Sequence, residues 1–263
     1  MTTNPPTAAV LAGGLGTRLR SAVPDRPKVL ARVGGRPFLA HLLDRLAAAG
    51  IRRVVLCTGF AGDQVQAAFG SRYGLLGLQY SREPEPLGTA GALAWALPCF
   101  DSECLLVMNG DSLCDADLAA YWTWHRQTGA DVSLLLTRCS DASRYGSVLL
   151  DEGQRIVRFE EKKPEAGTGW INAGVYLIAR RRIREIPTGR PVSLETEMLP
   201  AWIPRGVRGL ACPAPFIDIG TPDSYTRADA FIAAIGLRME VNTASPTSEP
   251  MELPIRVQAR AYV

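Results

Sequence analysis

The sequence predicts an α/β fold with a mainly parallel central sheet flanked by helices. Three observations support this: Ala8 to Leu11 is a short apolar run, residues 38–49 carry apolar side chains at helical spacing, and a second apolar run follows in IRRVVLCTG. The alternation then continues with a helix near 63–69, a strand near 78–80, a helix at 89–97 and a strand at 104–111. Alternating strands and helices are typical of a parallel sheet.

From about residue 131 the pattern changes to apolar strands with fewer helices between them. These strands have the sequences DVSLLLTRC, SVLLD, IVRFEEK and INAGVYLIA. The change predicts a mixed sheet in the second half of one domain at 1–238, whose two sides lie at about 8–130 and 131–238. A closing helix is expected at 223–236, and the Ser/Thr/Pro-rich stretch that follows predicts a linker and tail at 239–263.

The composition indicates a globular protein, because 47% of the 263 residues are hydrophobic and 21% are charged. A net charge of +3 with scattered basic residues argues against a nucleic-acid partner. No basic leader precedes an apolar core and no apolar run approaches the roughly 18 residues of a membrane helix, so we expect no membrane partner and a cytoplasmic location.

Cysteine and histidine usage gives no sign of a metal or disulfide framework. The six cysteines form no CxxC pair and lie mostly in apolar strand-like surroundings, which favours reduced packing residues. His41 and His125 lie far apart and are expected to pack rather than to catalyse or to bind zinc. The aromatic run around Tyr121, Trp122 and Trp124 is expected either in the core or on the surface of a homodimer.

The segment LAGGLGTRLR, residues 11–20, is the strongest candidate for a binding site. Gly13, Gly14 and Gly16 allow a close approach of backbone N–H groups to phosphate oxygens, and Arg18 adds a planar donor fork. The spacing matches neither the dinucleotide-binding GxGxxG nor the P-loop pattern. The alternative is a strand-to-helix turn that only needs small residues.

Two aspartates follow short apolar runs and are candidate metal ligands. Asp111 lies in MNGDSL and Asp218 lies in FIDIGTPDSY. Ligands gather at the carboxyl ends of strands in open α/β sheets, and Mg²⁺ prefers hard oxygen donors. NGD alone is also an ordinary turn, and the DAD sequence at 115–117 is interpreted as the start of a helix rather than as a glycosyltransferase metal motif.

LAGG-x-GTRLR followed by Pro27 and Lys28 resembles the signature of sugar-nucleotide pyrophosphorylases, the sugar-1-phosphate nucleotidylyltransferases. The resemblance covers about residues 8–235. It implies a Rossmann-like (GT-A-like) nucleotidyltransferase fold with a nucleotide side at about 8–130 and an acceptor-side subdomain at about 131–238. It further implies small-molecule substrates, and Mg²⁺ held by Asp111 and Asp218.

The resemblance also implies roles for individual residues. Arg18 would contact the nucleotide phosphates and Lys28 would lie near the reacting phosphoryl group. EPLGTAGAL resembles the base-reading loop. Thr89 could alternatively be just the N-cap of the helix that follows, and the two roles are compatible. The residues expected to bind the nucleotide are Leu11, Ala12, Gly13, Gly14, Gly16, Thr17, Gly88, Thr89, Asn109 and Gly110.

Three later motifs, RYGSV, FEEKKP and INAGVY, resemble the sugar-phosphate side of the family. They imply binding by Gly146, Glu161, Lys162, Asn172 and Gly174, with Lys162 joining Arg18 and Lys28 as a catalytic residue that holds the sugar phosphate. The alternatives are a solvated charged strand end for FEEKKP and a buried strand for INAGVY.

The motifs also indicate which nucleotide and which sugar phosphate are the substrates. PLGTAG without the glutamine of thymidylyl enzymes resembles guanylyl transferases, so GTP is the expected donor. Within the family the motifs are most similar to guanylyltransferases of D-glycero-D-manno-heptose 1-phosphate, although PKVLARV replaces the usual PKPMAPV. Mannose 1-phosphate or another hexose 1-phosphate is the alternative substrate. A non-catalytic regulatory subunit that binds nucleotide sugars is the alternative of a different class.

Overall fold

The computed structural model describes residues 5–139, 145–160 and 168–243. Its strands are β1 (Thr7–Leu11), β2 (Arg32–Val33), β3 (Arg36–Pro37), β4 (Arg53–Thr58), β5 (Arg72–Tyr73), β6 (Leu76–Arg82), β7 (Cys104–Asn109), β8 (Ser112–Cys114), β9 (Val132–Cys139), β10 (Ser147–Leu150), β11 (Ile156–Glu160), β12 (Gly169–Ala179), β13 (Arg208–Ala211) and β14 (Phe216–Asp218). Its α-helices are α1 (Phe38–Ala48), α2 (Gly62–Phe69), α3 (Gly88–Trp95), α4 (Leu118–Thr128), α5 (Arg180–Ile183), α6 (Leu199–Trp202), α7 (Pro222–Thr226) and α8 (Ala228–Thr243).

Ten of these strands form one mixed sheet. Its parallel centre has the order β7-β1-β4-β6, and the short strand β5 pairs antiparallel with β6 at the edge. Strand β12 pairs antiparallel with β9 along one edge and with β10 and then β7 along the other. The predicted mixed sheet of the second half is therefore a continuation of the parallel sheet, joined through β12.

The core lies on both faces of the sheet, because successive side chains of a strand point to opposite faces. In β1, Val10 belongs to one apolar cluster and Ala9 to the other, and in β7 Met108 and Val107 divide in the same way. Helix α1 packs on the first cluster, and its side chain Leu42 is fully buried. Both faces are covered, so the carboxyl ends of the central strands are where a ligand can approach.

Several predicted elements have different bounds in the structure. The strand expected to reach Asp111 ends at Asn109, and the closing helix expected at 223–236 is divided into α7 and α8. Thr89 does not cap the next helix, which was the alternative role for this residue. Helix α3 begins at Gly88 after Leu87, and the Thr89 hydroxyl donates instead to Glu195, 2.8 Å away.

The DAD sequence begins a helix, as predicted. Asp117 caps α4 by accepting a hydrogen bond from the Ala120 amide at 2.9 Å, and Asp115 forms an ion pair with Arg45 at 2.5 Å. The six cysteines are free thiols. Tyr121 is fully buried in the core, and His125 is buried beside it. Among the described helices, none has the length and apolarity needed to cross a membrane.

Candidate active site

The candidate site lies where four neighbouring strands end. The parallel strands β1, β4, β6 and β7 all finish at the same edge of the sheet, and the residues that follow them enclose a cavity of about 430 Å³. This position is the usual ligand site of an open α/β sheet. Most of the predicted nucleotide-binding residues line it, together with Lys28 and Asp111: Leu11, Ala12, Gly13, Gly14, Gly16, Thr17, Gly88, Thr89 and Asn109.

Gly110 is the predicted nucleotide-binding residue that does not line this cavity. Its amide donates to the Leu11 carbonyl at 3.0 Å, and a Cβ at this position would lie 2.6 Å from the same oxygen. Position 110 therefore requires a glycine, because the end of β7 packs closely against β1. Gly16, by contrast, has a φ of 59°, a conformation that glycine adopts without strain, and begins the 3₁₀ turn Thr17–Leu19.

The cavity also contains a carboxylate, Glu83, that was not among the predicted site residues. Glu83 follows β6, is half-buried, and accepts a hydrogen bond from the Leu87 amide at 3.1 Å. A Cβ on Gly13 or on Gly59 would lie 2.6 Å from its Oε1, so both glycines leave room for this carboxylate. Burial raises the pKa of Glu83 above its usual value.

Lys28 and Asp111, which also line the cavity, form an ion pair. Lys28 Nζ contacts Asp111 Oδ2, and only 13% of the lysine side chain is exposed, against 33% of the aspartate. The pair is poorly solvated, so its charges act at higher strength than they would in bulk water. The neighbouring Cys57 thiol stays protonated because burial raises its pKa.

The two predicted metal ligands are adjacent in the structure. Asp111 precedes β8 and Asp218 ends β14, and these two strands pair antiparallel with Ser112 opposite Asp218. The Ile219 amide donates to the Asp111 carbonyl at 2.8 Å, which holds the two ends together. Carboxylate oxygens from two neighbouring strand ends are a suitable donor set for a hard divalent cation.

Asp218 has a hydrogen-bond partner, Tyr145, that was not among the predicted site residues. The Tyr145 hydroxyl donates to Asp218 Oδ2 at 2.5 Å, and the Gly220 amide donates to Oδ1 at 2.8 Å. Arg18 lies near the same turn, because a Cβ on Gly220 would be 3.8 Å from its Nη2. Its side chain is therefore near Asp218, although Arg18 is not among the residues that line the cavity.

On the predicted sugar-phosphate side, the described residues form a tightly packed wall. The backbone N–H of Asn172 donates to the Gly146 carbonyl at 3.1 Å, and a Cβ on Gly146 would be 2.7 Å from the Phe159 ring. Gly174 has a φ of 70° and packs against Asn109 and Ser112. Glu161 and Lys162, predicted for this side, lie outside the described residues.

The loop after Glu83 is fixed by a distant segment of the chain. The amides of Ala90 and Gly91 donate to the Val192 carbonyl at 3.0 and 3.2 Å, and Val192 N donates to the Leu87 carbonyl at 2.8 Å. Gly88 has a φ of 74°, and a Cβ there would be 2.5 Å from the Val192 oxygen. This glycine is therefore needed for the docking of the loop, besides lining the cavity.

Comparison with known proteins agrees with this arrangement. Residues 7–235 match the Nucleotidyl transferase family. The chain belongs to this family. The resemblance to sugar-1-phosphate nucleotidylyltransferases that the motifs predict is thereby confirmed, and so is the predicted fold class.

Two curated relatives of this nucleotidyl transferase are guanylyltransferases. The chain is 41% identical over 234 residues to a mannose-1-phosphate guanylyltransferase of Mycobacterium tuberculosis, a match that covers 88% of this chain and 65% of that protein. It is 37% identical over 223 residues to the D-glycero-alpha-D-manno-heptose 1-phosphate guanylyltransferase of Aneurinibacillus thermoaerophilus, with 84% and 96% covered.

Solved structures show the same fold. HddC from Yersinia pseudotuberculosis superimposes with a TM-score of 0.78 at 30% identity, covering 87% of this chain and all of that one. The structure of the same protein complexed with GMP-PN gives a TM-score of 0.76.

Proposed function

We propose that this nucleotidyl transferase joins GTP to D-glycero-D-manno-heptose 1-phosphate and releases pyrophosphate. The observation that carries the base assignment is the Glu83 carboxylate in the nucleotide cavity. Its two oxygens can accept the two neighbouring hydrogen bonds that the N1–H and N2–H₂ groups of guanine donate. Adenine presents an acceptor at N1, so a carboxylate there would repel it. The relatives that are guanylyltransferases support this assignment.

The reaction on this chain is an in-line attack of a sugar-phosphate oxygen on the α-phosphorus of GTP. The new P–O bond forms as the bond to pyrophosphate breaks, so no covalent enzyme intermediate is required. Positioning and charge neutralisation supply most of the acceleration in such transfers. Lys28 lines the cavity and Arg18 lies near Asp218, so both are proposed to neutralise phosphate charge, and Lys162 is proposed to hold the sugar phosphate.

Asp111 and Asp218 would hold a divalent cation, which we propose to be Mg²⁺. A magnesium ion bound there supplies positive charge for phosphate oxygens. The adjacency of the two carboxylates across β8 and β14 supports the assignment. Tyr145 and the Gly220 amide orient Asp218, and Lys28 orients Asp111.

The alternative acceptor is mannose 1-phosphate, and the match at 41% identity to a mannose-1-phosphate enzyme favours keeping it. The two acceptors share the manno ring and differ in the exocyclic carbon chain. The carbon of the extra CH(OH) group changes binding by about 1–3 kcal/mol, and its hydroxyl contributes more only where the pocket hydrogen-bonds it. Kinetic comparison of both acceptors is therefore necessary.

The deciding experiment measures pyrophosphate release for GTP, ATP, dTTP and UTP against heptose, mannose and glucose 1-phosphates. We expect the highest kcat/KM for GTP with the heptose phosphate. A tenfold preference for ATP or dTTP, about 1.4 kcal/mol in transition-state free energy, would contradict the guanine assignment. If folded protein binds GTP but turns over none of these substrate pairs, the result would favour the alternative of a non-catalytic regulatory subunit.

Glu83→Gln tests the base assignment directly, because an amide presents one acceptor and one donor. We expect the kcat/KM for GTP to fall about tenfold or more. Glu85→Gln is the matched control, since Glu85 lies two residues away on the exposed side of the same loop. Equal losses in both variants would mean that the charge of the loop, and not base recognition, is responsible.

A further inference from the structure

We infer that Glu195 is a positioning residue that couples the nucleotide-binding loop to the sugar-side strand β12. The inference rests on the proposed function, which assigns these two parts of the chain to the two substrates. It concerns a residue outside the cavity, whose effect on either substrate must pass through other side chains.

The two carboxylate oxygens of Glu195 bind the two sides separately. The Thr89 hydroxyl donates to Oε2 at 2.8 Å, and the Tyr176 hydroxyl donates to Oε1 at 3.1 Å. Thr89 lines the nucleotide cavity at the start of α3, and Tyr176 lies in β12. A single carboxylate therefore connects elements that are 87 positions apart in the sequence.

Each hydroxyl has further contacts that extend the chain of hydrogen bonds. Thr89 Oγ1 accepts from the Leu194 amide at 2.7 Å, and the Tyr176 oxygen accepts from Asn172 Nδ2 at 2.8 Å. The other end of the Asn172 amide accepts from Gly174 N at 3.0 Å. The orientation of Asn172, a predicted sugar contact, thus depends on where Glu195 lies.

The carboxylate is the side chain that suits this position. A hydroxyl has one proton, and both Thr89 and Tyr176 give theirs to Glu195. Tyr176 is fully buried, and burial raises its pKa well above the usual value, so it remains a donor. A glutamine has one acceptor oxygen, so one of the two hydroxyls would lose its acceptor.

The backbone around Glu195 has hydrogen bonds of its own, in addition to those that the Leu194 amide makes with Thr89 and that the Ser193 hydroxyl makes with Glu195 Oε2 at 3.4 Å. Residues Leu194–Met198 form a π-helical turn, which occurs often at functional sites, and Ser193 caps it by accepting from Thr196 N at 3.1 Å. Val192, just before this turn, docks on the nucleotide loop through its N–H and C=O groups. A change in the Glu195 side chain can therefore remove the coupling without removing the turn.

The test measures cross-effects, which are the changes in binding of one substrate caused by a substitution on the side of the other substrate. Tyr176 does not line the cavity, although its hydroxyl also interacts with the side chain of Asn109, which does. Tyr176→Phe should weaken calorimetric binding of Mg²⁺–GTP by about fivefold, and comparison with the Glu195→Gln background isolates the part that passes through Glu195. Conversely, Thr89→Val should raise the KM for the sugar phosphate by a similar factor, although Thr89 is on the nucleotide side. In a Glu195→Gln background, both cross-effects should fall below about twofold.

Glu197→Gln is the matched control. Glu197 lies in the same π-helical turn but forms an ion pair with the exposed Arg190 at 2.8 Å and accepts from Ser193 N at 3.0 Å. It should leave both cross-effects unchanged. Unfolding free energies of all variants are measured alongside, because a purely structural role would lower stability without a cross-effect between substrates.

The outcomes separate the inference from the proposed function. If the wild-type protein binds GTP and releases pyrophosphate but the cross-effects are absent, Glu195 does not couple the two sides. Cross-effects that persist in the Glu195→Gln background would also overturn the inference, because they would travel by another path. Wild-type protein that neither binds GTP nor turns over would overturn the proposed function and, with it, this inference.

Discussion

Lys28 and Asp111 are 83 positions apart in the sequence, yet their side chains form an ion pair at the cavity between the glycine loop and the end of β7. The pair brings together a cation expected to face the reacting phosphoryl group and a carboxylate expected to bind metal. Removing either partner leaves the other charged and poorly solvated, so each substitution has a distinct electrostatic consequence.

Asp111→Asn should keep the fold but lower turnover by about a hundredfold or more, because a neutral amide removes the charge that is proposed to hold Mg²⁺. Pyrophosphate release is measured across a Mg²⁺ titration, with circular dichroism to verify folding. Asp117→Asn is the control, since asparagine caps α4 as well as aspartate does. Near-normal turnover of folded Asp111→Asn would contradict the metal assignment.

The two proposed phosphate-binding lysines should behave differently. Lys28→Ala should lower kcat by about a hundredfold, or about 2.7 kcal/mol, because its charge acts where negative charge is redistributed in the transition state. Lys162→Ala should mainly raise the KM for the sugar phosphate, whose charge is present before and during reaction. Steady-state kinetics with each substrate varied distinguishes them. A rise only in the KM for GTP in Lys162→Ala would show that the division into nucleotide and sugar sides is wrong.

Gly88→Ala should destabilise the protein by about 2–4 kcal/mol, because a φ of 74° strains alanine and its Cβ would lie 2.5 Å from the Val192 oxygen. Gly129→Ala is the control for the backbone strain alone. Gly129 has a similar φ of 63°, but no atom lies within 4 Å of the added Cβ. Urea denaturation measures both variants, and equal losses would mean that the contact with Val192 can relax.

His125 should make the protein less stable in mild acid. Burial lowers its pKa to about 4 from its ordinary value of 6.5, since both ring nitrogens face other side chains, Ser133 Oγ at 2.8 Å and Cys104 Sγ at 3.5 Å. Below pH 6.5 the unfolded state binds a proton that the native state does not. The free energy of unfolding therefore falls by up to about 3 kcal/mol as the pH decreases from 6.5 to 4.

His125→Gln should remove this contribution, and the comparison is made by urea denaturation at several pH values. The difference between wild type and variant should change between pH 6.5 and 4 and be constant above that range. A difference that does not vary with pH would mean that His125 takes up its proton equally well in the native protein.

Much of the scaffold could be predicted from local sequence, because strand and helix periodicity are properties of neighbouring residues. The apolar runs that became β1, β4 and β7 were identified, and LAGGLGTRLR was correctly located at a strand end. Asp111 was identified for the same reason, since its position follows from the end of a buried strand. The predicted end of that strand was two residues too late, and the alternative in which Thr89 caps α3 was wrong because its hydroxyl donates to the distant Glu195.

The sequence by itself determined the α/β pattern, the glycine loop and the two aspartates, while only the tertiary structure revealed Glu83 and Glu195. An acidic residue after a strand is ordinarily a solvated loop residue, and Glu83 differs because two glycines distant in sequence make room for its carboxylate. Glu195 lies 106 positions from Thr89. Contacts over such separations depend on how the whole sheet is ordered, and the local pattern of side chains does not encode that order.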